Sequence, residues 1–158
     1  MSDAAVIHAV FEEIFGEKAN FYEFDDRLKA QKAVFLLHEL GVTCGDYSFR
    51  WYKFGPYSQQ LQNTLLVDYA NDENITLSEK GLDAIRKVKE MIQTPHDPSY
   101  SPEQWLEAIG SIRYLIAYCY QPSAKDEVLE KLCEFKPYLS NKDLNLHAYE
   151  TLEKYFDN

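Results

Sequence analysis

A single segment of this chain has the two-residue period of a β-strand. Tyr47, Phe49 and Trp51 alternate with more polar neighbours, which is typical of a strand with one buried face. The segment runs into the dipeptide Gly55-Pro56, and proline cannot donate to a strand ladder but tolerates the start of a helix. We therefore expect the strand to end there. One strand cannot build a large sheet, so most of the fold must be helical.

Apolar residues elsewhere in the first half recur every three or four positions, the period of an amphipathic helix. The pattern predicts three helices there, the first between Asp3 and Gly16 and the others over residues 27–40 and 57–70. The expected N-terminal caps are Asp3 for the first helix and Asp25 or Asp26 for the second. The first helix is expected to end at Gly16, and Gly41 supplies the left-handed residue that commonly ends a helix.

A fourth helix is predicted after residue 78. Residues 76–79 (TLSE) resemble a capping box, and the expected buried residues of the helix are Leu82, Ile85, Val88 and Ile92. Ile75 and its neighbours could form a short second strand.

Three further helices are predicted beyond a candidate linker at residues 94–98, TPHDP. Each begins with a serine that has a carboxylate or amide side chain three residues on, namely Ser101, Ser123 and Ser140. The expected apolar faces are Trp105, Ile109, Ile112 and Ile116; Val128, Leu132 and Phe135; and Leu144, Ala148, Leu152 and Tyr155. We expect a mainly α (α+β) fold with a winged-helix-like core and short β-hairpin at residues 1–94. A C-terminal three-helix pack at 100–158 completes one compact unit.

Charge and cysteine content restrict the class of partner. The net charge is −10, which disfavours electrostatic capture of DNA and suits a basic protein partner. Cys44, Cys119 and Cys133 are odd in number and far apart, so neither a disulfide framework nor a zinc knuckle is indicated. The N-terminus lacks a signal pattern, and no apolar run reaches the ~18 residues of a membrane span. We expect a soluble, cytoplasmic protein that does not bind membranes.

Four segments together resemble a known family. These are residues 28–37 (LKAQKAVFLL), 49–58 (FRWYKFGPYS), 75–81 (ITLSEKG) and 132–144, which contains Lys136-Pro137. In this order they are similar to the YwgA-like and SocA-like proteins of the Panacea family, although Ala30 stands where that pattern usually has leucine. The resemblance implies a compact, mostly helical fold related to winged helices. It also implies the role of the SocA-like branch, antitoxins that bind and neutralise toxin proteins, whereas the YwgA-like branch is largely without assigned function.

Catalytic and metal chemistry find little support in the sequence. His38 and Cys44, with Asp46 to orient the base, could form a hydrolytic site only if they lay within hydrogen-bond reach. The remaining histidines have no partners at metal-ligand spacing, and no glycine-rich loop could hold a phosphate. We therefore predict a non-enzymatic protein with no cofactor and no metal.

The third predicted helix begins with several glutamines, and such a helix could bind either DNA or a protein. Gln59 could read adenine edges, but residues 57–70 contain no lysine or arginine to hold phosphates. Arg50 and Lys53 precede this helix, and the fourth helix carries Lys80, Arg86, Lys87 and Lys89. If these cations converge they form a modest basic patch; the alternative for the fourth helix is a solvated face. We predict a protein-binding surface formed by Gln31, Lys32, Arg50, Tyr52, Tyr57 and Gln59. The partner could be a basic toxin. The alternatives are a winged-helix DNA-binding regulator and a family member of no assigned activity associated with phages or mobile elements.

Overall fold

The computed structural model describes residues 3–53, 55–67, 75–93, 97–119 and 124–156. Over these residues the chain forms seven α-helices and one two-stranded sheet. The elements are α1 (Asp3–Phe15), α2 (Phe24–Glu39), β1 (Arg50–Tyr52), β2 (Gly55–Tyr57), α3 (Gln59–Leu65), α4 (Glu79–Gln93), α5 (Pro102–Tyr114), α6 (Lys125–Phe135) and α7 (Lys142–Tyr155). The chain divides into two compact units, residues 1–90 and 91–158.

In the first unit, α2 is the central element and contacts α1, α3 and β2. Eight consecutive residues of α2, Ala30 to Leu37, are buried: Lys32 is 3% exposed and the other seven are 2% exposed or less. A helix buried on nearly all sides must lie inside the core. Gly16 and Gly41 have φ angles of 77° and 87° and follow α1 and α2 closely, as expected. The helix starts at Phe24, however, and neither Asp25 nor Asp26 is its N-cap.

The sheet corrects the prediction for the Gly-Pro dipeptide. Gly55 and Pro56 do not end the strand segment; they belong to β2, which pairs antiparallel with β1. Proline is compatible with this position because both strands of a two-stranded sheet are edge strands. The second strand was expected near Ile75, but residues 75–78 have no regular secondary structure. The prediction of a mainly helical chain with a small hairpin is confirmed.

Two helices of the first unit differ from the predicted pattern. The third is shorter than expected: α3 has seven residues, and Ser58 caps it by accepting a hydrogen bond from the Leu61 N–H at 3.2 Å. Residues 68–70 of the predicted helix lie outside the described residues. In α4, Ser78 rather than Thr76 supplies the cap, because its Oγ accepts from the Gly81 N–H at 3.0 Å. Leu82 was predicted to be buried and is 43% exposed.

The second unit is built on α5, which contacts both α6 and α7. Trp105 is fully buried, and its indole N–H donates to the Met91 carbonyl at 3.1 Å. The predicted capping box at Ser101 is confirmed. Ser123 lies outside the described residues, and the cap of α7 is Asn141 rather than Ser140. Phe135, predicted to be buried, is 53% exposed.

Lys136, in the Lys136-Pro137 segment, forms a buried ion pair. Lys136, 2% exposed, places its Nζ 3.3 Å from a carboxylate oxygen of Glu107 on α5. The same oxygen accepts a hydrogen bond from the Tyr138 hydroxyl. Burial lowers the pKa of Lys136, and the Glu107 carboxylate opposes that shift. The charged pair thus joins the chain after α6 to the middle of α5.

One feature of the helices was not anticipated. The end of α5 continues as a π-helical turn, Leu115–Cys119, where the sequence predicted an ordinary helix. Among the described helices, none combines the length and the apolar character needed to cross a bilayer.

Candidate protein-interaction surface

A reciprocal pair of hydrogen bonds fixes the start of α3 against α2. The Gln31 side-chain amide donates to the Ser58 carbonyl at 2.9 Å, and the Ser58 N–H donates to the Gln31 amide oxygen at 2.8 Å. Both residues are buried, at 1% and 0% exposed. A buried backbone group without a partner is costly, so Gln31 satisfies the Ser58 peptide groups just before the first turn of α3.

The hairpin register places two tyrosines side by side. Arg50 pairs with Tyr57, and Tyr52 pairs with Gly55, so the two tyrosines are diagonal neighbours across the strands. Their ring centroids are 4.8 Å apart with an interplanar angle of 30°, a stacked arrangement. Gly55 has a φ angle of 101°, which a residue with a side chain rarely adopts. The glycine therefore makes this turn, and the stacking that follows from it, possible.

The stacked pair is accessible and has a polar rim. Tyr52 is 53% exposed, Tyr57 is half-buried, and Arg50 and Gln59 are exposed. The Tyr57 hydroxyl donates to the Gln59 amide oxygen at 3.3 Å, and the Gln59 amide nitrogen donates to Asn63 at 3.0 Å. We call Arg50, Tyr52, Tyr57 and Gln59 the hairpin surface.

The first turn of α2 adds residues that the sequence did not single out. Arg27 donates to the carbonyls of Phe21 and Tyr22 at 2.9 and 3.1 Å, and its guanidinium lies 5.8 Å from the Phe24 ring centroid. Partial burial, followed by the neighbouring Tyr52, raises the pKa of Tyr57, and the positive charge of Arg27 opposes this. Arg27 is thus close enough to act on the hairpin surface electrostatically. Arg27 lies four residues before Gln31, and the helix period places residues at this spacing on the same side of α2.

Two of the six predicted contact residues are buried. Gln31 and Lys32 are 1% and 3% exposed, so they do not present side chains beside the hairpin surface. Helical position explains the difference: both lie on the part of α2 that packs inside the unit. Gln31 is hydrogen-bonded to the Ser58 backbone below the hairpin surface. The other four predicted residues are those of the hairpin surface and lie close together.

The neighbouring aromatic residues are only partly core residues. Phe49 and Trp51 were predicted to face the core and are half-buried. The Phe49 ring packs edge-to-face against the buried Phe35 ring, with centroids 5.3 Å apart. Phe49 therefore covers the side of the core. Tyr47 is the most buried member of the set, at 7% exposed.

Two of the four cations of α4, Arg86 and Lys87, form ion pairs within their own helix. Arg86 lies 2.8 Å from Asp83 and 2.7 Å from Glu90, and Lys87 lies 3.4 Å from Asp83. Hydrogen bonds from Arg86 and Lys87 lower the pKa of Asp83. Alternating charges paired at these spacings are typical of a solvated helix face. This favours the solvated-face interpretation over a basic patch for nucleic acid.

The candidate nucleophile Cys44 lies in an unsuitable environment. It is buried, and burial, followed by the charge of Asp3, raises its pKa to about 11. A thiol with that pKa stays protonated near neutral pH, while the thiolate is the reactive form. The His38 ring instead contacts the Phe49 ring, with centroids 5.9 Å apart. Across the described ranges, no group of three or more histidine, cysteine or carboxylate side chains could hold a metal ion.

Comparison of the chain with known protein families, with curated proteins and with solved structures finds no match. The geometry of the hairpin surface therefore carries the functional argument.

Proposed function

We propose that this chain is a non-enzymatic protein-interaction domain that binds its partner through the hairpin surface. The observation that carries the proposal is the stacking of the exposed Tyr52 on the half-buried Tyr57. Tyrosine and arginine are the residue types that contribute most to binding energy at protein interfaces. Here two tyrosines and Arg50 meet on one hairpin.

The support beneath the pair is what suits it to binding. Ring stacking restricts both side chains, and the bonds between Gln31 and Ser58 hold the backbone that follows Tyr57. A surface already ordered before binding loses less conformational entropy when a partner docks. Gln59 and Asn63 add amide groups at the edge, where an interface is normally polar.

We further propose that binding serves to neutralise or regulate the partner, as an antitoxin does. The resemblance of residues 28–37 and 49–58 to the Panacea family supports this, and those segments contain Gln31, Tyr52 and Tyr57. The net charge of −10 suits a basic partner such as a toxin. The chain would act as a cytoplasmic protein in this role.

The experiment is to purify the tagged chain from its own cells, identify the bound protein and measure its affinity by calorimetry. Tyr57→Ala and Arg50→Ala are compared with Tyr118→Ala, a matched control that removes a tyrosine 56% exposed in the second unit. We expect Tyr57→Ala to cost about 2 kcal/mol or more of binding energy, with unchanged melting temperature. Equal affinity of a folded Tyr57→Ala variant would refute the proposed surface.

A further inference from the structure

The second unit carries an open groove between α6 and α7 that the proposed function does not use. Its volume is about 770 Å³, within the range of sites that hold a ligand or a docked segment. The α6 side is lined by residues three or four positions apart, Asp126, Leu129, Glu130, Cys133 and Glu134. That spacing places them on one face of the helix. We call this feature the α6–α7 groove.

Negative charge dominates the walls of the α6–α7 groove. Asp126, Glu130 and Glu134 stand at four-residue intervals, which places successive carboxylates ~6 Å apart along the helix axis. Asp143 on α7 adds a fourth carboxylate, and Lys142 is the one cation among the lining residues. Lys131 reaches Glu134 at 3.1 Å. Asp126, Glu130 and Asp143 make no ion pair with the rest of the described chain.

The floor of the groove is apolar and firmly held. Leu129 and Leu146 line it, and Leu146 is 36% exposed. Asn145, beside them, has its polar atoms occupied: its amide donates to the Leu139 carbonyl at 2.9 Å and its oxygen accepts from the Tyr100 hydroxyl at 2.8 Å. An occupant therefore gains by apolar contact at the floor and by charge at the walls.

We propose that the α6–α7 groove binds a basic amphipathic helix of a partner protein. Such a helix would place apolar residues over Leu129 and Leu146 while lysines or arginines at four-residue spacing meet Asp126 and Glu130. The groove matches helix-in-groove recognition, in which an apolar stripe is buried and the charges at its edges set specificity. A second copy of this chain is a poor occupant because it carries the same carboxylates and a net charge of −10.

The test uses a fluorescein-labelled synthetic helix of about 14 residues, long enough for nearly four turns. It carries leucines along one face and lysines at four-residue spacing beside them. A control peptide has glutamate in place of every lysine. Fluorescence anisotropy with the full chain is expected to show saturable binding of the lysine peptide and none of the control. Binding is expected to weaken between about 50 and about 300 mM salt, because exposed charges are screened.

Charge-reversal variants locate the site. Glu130→Lys, which replaces an attraction by a repulsion, is expected to weaken the lysine peptide about three- to tenfold. Glu150→Lys is the matched control, because Glu150 is also an exposed carboxylate in this unit but lies on α7 outside the groove lining. Equal losses in the two variants would mean general attraction to an acidic protein and would overturn the proposal.

Two further measurements test whether the peptide occupies the α6–α7 groove and whether its binding is independent of the hairpin surface. In a Cys119→Ser background, saturating lysine peptide is expected to slow alkylation of Cys133, which lines the groove. Unchanged alkylation would overturn the proposal even if anisotropy rises. Tyr57→Ala, which tests the hairpin surface, is expected to leave peptide affinity unchanged, so each proposal can fail without the other.

Discussion

Gln31 on α2 and Ser58 before α3 are 27 residues apart in the chain and hold each other by two buried hydrogen bonds, of 2.9 and 2.8 Å. A glutamine side chain pairs here with both polar groups of one backbone residue, much as a neighbouring strand would. The pairing connects the central helix to the point where the hairpin becomes a helix. It therefore supports both the core and the stacked tyrosines that precede Ser58.

The Gln31 side chain is expected to be important for stability. Gln31→Ala would leave the Ser58 N–H buried without a partner, while the Ser58 carbonyl would still accept from the Gln62 N–H at 3.0 Å. We expect a loss of about 1–3 kcal/mol in the free energy of unfolding. Urea denaturation measures it. Gln59→Ala, at an exposed position on α3, is the control and should change stability by less than about 0.5 kcal/mol. A stable Gln31→Ala variant would mean that water replaces the amide.

Two leucines in and directly after α3 provide a matched comparison. Leu61 on α3 is 0% exposed and Leu66, one residue beyond the helix, is 59% exposed. Leu61→Ala removes buried methyl groups and leaves a cavity, so we expect a loss of about 2–5 kcal/mol. Leu66→Ala should change stability by less than about 0.5 kcal/mol. Similar thermal melting of the two variants would contradict the orientation of α3.

Removing one member of the buried pair of Lys136 and Glu107 should lower the free energy of unfolding more than replacing both members with apolar residues. Glu107→Ala leaves the buried ammonium without its carboxylate, and we expect a loss of about 3–5 kcal/mol in urea denaturation. Replacing both members, by Glu107→Leu with Lys136→Met, is expected to recover most of that loss. Glu134→Ala breaks the exposed pair with Lys131 and should cost less than about 1 kcal/mol. A double variant as unstable as the single one would show that the charges themselves are required.

Stability should fall at high pH through Tyr138. Partial burial, and then the hydrogen bond to the Glu107 carboxylate, raises the pKa of Tyr138 above its ordinary value of 10.0. The folded chain thus keeps a proton that the unfolded chain loses. This contribution is complete below pH about 10 and is lost as the pH rises through the folded-state pKa.

The Tyr138→Phe variant tests this directly. Its free energy of unfolding, measured in urea between about pH 9 and about pH 12, should decline less steeply than that of the unchanged chain. Tyr22→Phe, at a side chain 84% exposed, should keep the original slope. Identical slopes for all three proteins would rule out Tyr138 as the source.

Binding to DNA should be weak. The seven residues of α3 include no lysine or arginine, and Arg86 and Lys87 on α4 are paired within their own helix. We expect affinity for duplex DNA at physiological salt no better than about 10⁻⁴–10⁻⁶ M, the non-specific range. Gel shift and anisotropy measure it. Nanomolar binding to a specific sequence would instead favour a DNA-binding regulator.

Local signals in the sequence predicted the helices well. Gly16 and Gly41 end α1 and α2 with positive φ angles, and Ser101 caps α5 together with Gln104. Each of these signals acts on backbone groups within about four residues, so neighbouring residues suffice to determine them. The exposed tyrosine at position 52 also followed from the two-residue period of its strand.

Long-range packing decided what the local patterns could not. The burial of Gln31 depends on a backbone residue 27 positions away, and that of Lys136 on the Glu107 carboxylate of another helix. A polar side chain is buried at low cost only where another group can form a hydrogen bond or ion pair with it. The sequence does not show which distant segments come together to supply that group. Gly55 and Pro56 likewise joined a strand because β1 was available to pair with them. The sequence alone determined which segments are helical and where the first two helices end; only the tertiary structure decided which polar residues are buried and which aromatic rings stack at the surface.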